Sequence, residues 1–229
     1  MNDIQKFPRR VLPIIFVIET SAPMCGAKLA KVDQIMQKMI GILKDVSEDD
    51  QNIDAELKIG VLQFSAYAKW ITPGLVSVED FHWNHPQADG MPLFVGMLDE
   101  LHAKLSRNGY LNSETGFYVP LIVFLTTGEA SDCGDWEEKL EWVRANNGWF
   151  RHSLRFAIVL DDEANREVLA KLSCSEETVI EENQLEILKT MIVLGNPQML
   201  FPRRKKIEPE PQPLLDLKIF DLKMLGEDW

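Results

Sequence analysis

The chain has 229 residues, enough for one domain of ordinary size with a tail, and 45% of them are apolar, enough for a full core. Its 36 acids against 24 bases give a formal charge of −12, which excludes general nucleic-acid binding and reads as a solvated acidic surface. Cys25, Cys133 and Cys174, an odd count without a CxxC spacing, exclude a disulfide framework and a zinc ribbon and read as free thiols in a reducing compartment.

Met1–Arg10 is a polar leader. Arg9-Arg10 followed by the apolar run Val11–Ile18 imitates a short signal peptide. Glu19 closes the run, however, and no stretch approaches the roughly 18 apolar residues of a membrane helix. The expectation is a cytoplasmic protein with no membrane partner. Val11–Ile18 reads instead as a buried parallel strand. Ala27–Val46 places Leu29, Val32, Met36, Met39, Leu43 and Val46 at alternating three–four spacing, one face of an amphipathic helix. Ser47–Asp54, acidic and polar, ends it. Leu57–Phe64 is a second strand and Ala68–Val76 a third, bent or at an edge because of Pro73-Gly74. The short connection Ser65–Tyr67 makes this pair antiparallel.

Val78–Gly90 is irregular and rich in aromatics and His. Pro92–Leu105 is a helix with Leu93, Met97, Leu98, Leu101 and Leu105 inside. Ser106–Tyr118 is a polar loop, and Val119–Thr126, the most apolar strand, is expected near the centre of the sheet. After the loop Thr127–Gly134 comes a helix over Asp135–Ala145, with Trp136, Leu140 and Val143 on one side. Leu154–Leu160 is a strand, and Asp161-Asp162 offers an N-cap to a helix running through Leu172. Thr178–Ile180 is a short edge strand. Gln184–Val193 is a last helix, stopped by Gly195-Asn196-Pro197. Strands alternating with helices give an α/β fold: a doubly wound, mainly parallel central sheet with helices on both faces and one antiparallel edge strand. Ligand sites in such folds lie outside the carboxyl ends of the strands. Three loops are expected to converge there: Glu19–Gly26, Asp89–Phe94 and Thr127–Asp132.

Glu19-Thr20-Ser21-Ala22-Pro23, Gly90-Met91-Pro92-Leu93 and Leu125-Thr126-Thr127-Gly128-Glu129-Ala130-Ser131-Asp132 carry a resemblance. In this order and on these strand ends, residues 11–200 resemble a von Willebrand factor A (VWA) domain of the bacterial tellurium-resistance-associated type. Its three loops read Asp-x-Ser-x-Ser, Gly-Thr-Ala/Pro-Leu and Leu-Thr-Asp-Gly-Glu-Pro-Thr-Asp. The resemblance implies a metal-ion-dependent adhesion site, with magnesium held by two carboxylates and several hydroxyls, and a partner's carboxylate often completing the shell. Residue by residue this chain departs from that pattern. The first Asp is Glu19, longer by a methylene. Ser21 keeps its hydroxyl. The second Ser is Pro23, which has no side-chain oxygen. The Thr is Met91, a thioether that magnesium disfavours. The third-loop Asp is Thr127, so a carboxylate is lost. Glu129 and Asp132 lie on the same loop, where either offers a replacement carboxylate in the metal-keeping alternative; the preferred reading is that they are solvated acids. The reading is a degenerate adhesion site without a metal or other cofactor, whose positions Glu19, Ser21, Pro23, Met91, Thr127, Glu129 and Asp132 form a partner surface. The alternative keeps Mg2+ or Ca2+ on Glu19, Ser21 and Thr127.

No enzyme motif competes: there is no GxSxG, HExxH, GxxxxGK[ST] or GxGxxG. His82 and His85 read as packing in an aromatic surface loop, and Cys25 as packed under the first helix. The domain is read over 1–201. Residues 202–213, Pro- and charge-rich with four consecutive bases at Arg203–Lys206, are a linker. Residues 214–229 hold nine large apolar residues in sixteen. Leu215, Leu217, Ile219, Phe220, Leu222, Met224 and Trp229 are the candidates for a docking segment, as a strand or as a helix. Folding back onto the domain and docking on another protein both stay open. The functional expectation is a non-enzymatic protein-interaction or scaffold module. By the resemblance, its partner would be kinase- or phosphatase-like, in a bacterial stress or conflict system. The sequence leaves the oligomeric state open.

Overall fold

In a computed structural model, residues 9–48, 55–132 and 134–194 are described. Cys133, the linker and the apolar segment, with Leu215, Leu217, Ile219, Phe220, Leu222, Met224 and Trp229, lie outside them. Seven strands form one sheet: β1 (Arg10–Glu19), β2 (Ala55–Phe64), β3 (Ala68–Trp70), β4 (Val76–Ser77), β5 (Leu121–Leu125), β6 (Leu154–Ile158) and β7 (Val179–Ile180). Their order is β3-β2-β1-β5-β6-β7, with β4 also on β2. β1, β2, β5, β6 and β7 are parallel. The edge strand expected over 68–76 consists of β3 and β4, both antiparallel to β2 and separated by the bend at Pro73-Gly74. β5 lies inside the sheet with all five residues buried, as its run of unbroken apolar residues requires.

The side-chain alternation of β1 divides the core. Ile14, Phe16 and Ile18 face α1 (Ala27–Glu48) and α6 (Glu186–Leu194). Ile15 and Val17 face α2 (Phe94–Lys104), α3 (Asp135–Asn146) and α5 (Arg166–Ser173). A short α4 (Gly148–His152) lies between α3 and β6 and seats Phe150 in this second half. Its N-cap Asn147 accepts from Phe150 N (2.9 Å), and its amide donates to the carbonyls of His102 (3.0 Å) and Leu105 (3.1 Å). That side chain therefore closes the end of α2 as well as starting α4.

Several boundaries differ from the sequence reading for local reasons. α2 begins at Phe94, because Pro92 and Leu93 belong to the loop that crosses the carboxyl edge. α5 is capped by Asn165, whose side chain accepts from Val168 N (3.2 Å), and not by Asp161-Asp162. Asp161 instead receives Lys28 at 3.0 Å. The last helical stretch starts as a single tight turn over Glu182–Gln184 before α6.

Candidate functional site

β1 and β5 are neighbours, and the chain leaves them toward opposite sides of the sheet, β1 to β2 and β5 to β6. This is the topological switch point of the fold, where loops part and leave a crevice beyond the strand ends. Backbone hydrogen bonds stitch the three expected loops together there. Thr20 N donates to Phe64 O (2.8 Å), Asp89 N to Thr20 O (2.9 Å), Ala22 N to Gly90 O (2.8 Å), Leu93 N to Ser65 O (3.1 Å) and Ser131 N to Pro92 O (2.8 Å). Gly90 has φ +76°, and a Cβ on it would lie 3.1 Å from the Ala66 Cβ. A residue without a side chain lets the second loop lie this close to the β2–β3 turn.

The centre of the site is Glu19. Ile18 pairs with Leu125 in the β1–β5 register, so Glu19 and Thr126 leave the ladder side by side. Glu19 is fully buried. Its Oε2 accepts from Thr126 Oγ1 (2.6 Å), Thr127 N (3.0 Å) and Thr127 Oγ1 (3.2 Å), and its Oε1 accepts from Ser21 Oγ. Thr126 Oγ1 accepts in turn from Gly128 N at 3.1 Å. A carboxyl group this deep is tolerated only when its oxygens are hydrogen-bonded, and here four protein donors do that. The methylene by which Glu exceeds Asp carries the group from the end of β1 to the first turn after β5.

The same geometry decides whether a hard divalent cation fits. Such an ion needs about six oxygens, with carboxylates to balance its charge. The one carboxyl group of the centre already accepts four hydrogen bonds. Pro23 and Met91 stand exposed, the first without a side-chain oxygen and the second with a thioether. Glu129 is exposed. Asp132 points away from the centre, toward α2. Its Oδ2 accepts from Val95 N at 2.6 Å, supplying from the third loop the cap that Leu93 does not give that helix. Its Oδ1 is buried without a partner. Among the described residues the side chains that meet at this centre thus offer one carboxylate and the hydroxyls of Ser21, Thr126 and Thr127. Among the described residues no group of three His, Cys, Asp or Glu side chains is arranged to hold a metal ion.

The structure thus brings Glu19, Ser21 and Thr127 into one buried network and sets Pro23, Met91 and Glu129 on the surface around it. Asp132 is not the solvated acid that the sequence suggested, because the α2 N-terminus lies over it. Cys25 is exposed rather than packed under α1. Thr126 was missed. The signal was available in the register of the two strand ends, but a metal-loop template directs attention to the next residue. Outside the network, His82 is exposed, while His85 Nδ1 meets Asp33 and Trp83 Nε1 donates to Asp33 at 2.9 Å. These contacts pin the aromatic segment to α1. At the β5–β6 side of the edge, Lys28 is held by Asp161, and that hydrogen bond, with Glu163 and Glu129 adding, raises its pKa.

No protein-family model matches the chain, and no curated protein does. Solved structures are similar at low identity. Proximal thread matrix protein 1 from the mussel byssus is 16% identical over 81% of this chain and 46% of its own, with a TM-score of 0.54. The pilus adhesin SpaC of Lactobacillus rhamnosus GG, in its open conformation, is 11% identical over 81% of this chain and 30% of its own, with a TM-score of 0.56. A von Willebrand factor type A protein from Catenulispora acidiphila is 12% identical over 80% of this chain and 42% of its own, with a TM-score of 0.51. The chain therefore spans less than half the length of each. These similarities show the fold, which is that of a VWA domain.

Proposed function

We propose that this chain is a non-enzymatic protein-interaction module whose carboxyl-edge loops bind a partner without a metal ion. The observation that carries this reading is Glu19. Its fully buried carboxyl group accepts from three side-chain hydroxyls, of Ser21, Thr126 and Thr127, and from the Thr127 backbone N–H. The carboxyl group therefore does structurally what the ion does in an adhesion site: it gathers the loop after β1 and the loop after β5 into one arrangement. The adhesin and the matrix protein among the similar structures support a binding role over catalysis. The resemblance of the three loop motifs to the tellurium-resistance-associated type extends the reading to a kinase- or phosphatase-like partner in a bacterial stress system. Residues 214–229 serve in this reading as a second docking element.

Thermal melts with EDTA and with millimolar Mg2+, Ca2+ and Zn2+ test the proposal. A ligand at 100 times its Kd adds about 2.7 kcal/mol to stability, or roughly 5–11 °C for a domain of this size. The expected result is one melting temperature in all four conditions. A rise of that order with any of the metals overturns the metal-free reading in favour of an ion on Ser21 and Thr127 with Glu19.

A further inference from the structure

The edge has two unlike flanks. On the β1–β2 side, Ala22 bonds to Gly90, and Gly90 lies against Ala66. Pro23, Met91 and Tyr67 are the residues that follow these three contact points in the chain, and all three are exposed. Tyr67 is 86% exposed and Met91 59%, the two highest values among the exposed large apolar side chains of the described residues. Trp142, at 46%, is a different case, since its ring is covered by Lys139 at 4.5 Å and His102 at 4.7 Å. Among the described residues, no such neighbour covers Tyr67 or Met91. Apolar groups grouped in solvent around a loop crevice mark a docking surface.

The β5–β6 flank is acidic. Glu129, Asp162 and Glu163 are exposed there, and Asp161 is half-buried. Two bases reach this flank, and both are paired with acids: Lys28 with Asp161 and Arg166 with Glu181. Lys69 stands on the far side, on β3 beyond Tyr67. The flank therefore presents an excess of negative charge across the edge from the apolar one.

We propose that the occupant of this edge is a protein segment carrying a large apolar side chain next to Lys or Arg, with the apolar group seated among Pro23, Met91 and Tyr67 and the bases facing Glu129, Asp162 and Glu163. The inference rests on the carboxyl edge being the binding face, as proposed above, and adds the chemistry of what binds. Apolar contact supplies the anchor, and charge complementarity supplies orientation, rate of encounter and sensitivity to salt.

The test is selection from a phage-displayed random peptide library against the full chain, repeated with two double variants, Tyr67→Ser/Met91→Ser and Glu129→Lys/Glu163→Lys. All four side chains are exposed, and an unchanged melting temperature confirms that each variant folds. The expected result is enrichment of peptides that pair an aromatic or Leu with Lys or Arg, that bind more weakly as salt rises, and that bind neither variant. Peptides that need Tyr67 and Met91 but ignore the charge reversal overturn the inference and leave the edge as the binding face. Enriched peptides that bind both variants like the wild type place binding elsewhere and overturn both. A selection that enriches nothing overturns the inference alone.

Discussion

Replacing Glu19 by Gln perturbs the centre of the site with almost no change of volume. The carboxyl group accepts four hydrogen bonds, three on Oε2 and one on Oε1. In the variant the amide oxygen keeps the three donors of Thr126 and Thr127 as neutral bonds. The amide NH2 is left facing the Ser21 hydroxyl, which must turn to accept. Hydrogen bonds to a charged group contribute about 1.5–3 kcal/mol and neutral ones about 0.5–1.5. Three weakened bonds and one reversed bond then cost about 2–4 kcal/mol, with the sum reduced because the variant no longer has to desolvate a carboxylate. For a domain of this size that is a fall of about 4–16 °C in melting temperature. Calorimetry of wild type and Glu19→Gln measures it, and EDTA in both samples removes any contribution from adventitious metal. A melting temperature unchanged within a degree or two would refute the reasoning, because the buried carboxyl group would then hold nothing together.

Two further expectations follow from side chains outside that network. Asp132→Ala removes the acceptor of Val95 N and should cost about 1 kcal/mol, the usual value of a lost cap. Amide exchange at Val95 should quicken while the middle of α2 stays protected; unchanged protection at Val95 would show that Asp132 is not its cap. Glu182 receives Lys31 and Lys38 of α1, and these bonds, Lys31's first, hold its carboxyl below the ordinary value of 4.5. Its folded pKa lies below the unfolded one, so its contribution is full above the unfolded pKa and is lost as pH falls through the folded value. The gap in melting temperature between wild type and Glu182→Gln should therefore close on acidification from about pH 6 to pH 3, whereas a constant gap would speak against the ion pairs.

Much of the fold was legible because it depends on patterns that repeat. The apolar runs Val11–Ile18 and Val119–Thr126 contain the buried stretches Pro13–Ile18 and Leu121–Leu125, and a strand buried on both faces has few alternatives to continuous apolar residues. The spacing of Leu29 to Val46 likewise announced α1. What stayed hidden depends on contacts distant in sequence. α4 is five residues long, too short for a period to show, and the bonds from its cap Asn147 to the carbonyls of His102 and Leu105 join residues more than forty positions apart. Asp132 looked like any loop acid until α2 was placed over it. The site was half legible. The metal-loop resemblance singled out Glu19, Ser21 and Thr127, which the fold brings into one network, and it set Pro23, Met91 and Thr127 apart as departures from its usual donors. The pattern did not show where the carboxyl group of a longer side chain would go. That depended on the β1–β5 register, which sets Thr126 beside Glu19.

Whether Glu19 or an ion joins the loops after β1 and β5 is decided by a crystal structure from crystals grown with millimolar Mn2+, with data collected at the manganese absorption edge. The expected result is no anomalous peak at the switch point, and Glu19 Oε2 within hydrogen-bonding distance of Thr126 Oγ1 and of Thr127 N and Oγ1. A peak coordinated by the Ser21 and Thr127 hydroxyls, with Glu19 turned toward it, would overturn the metal-free reading.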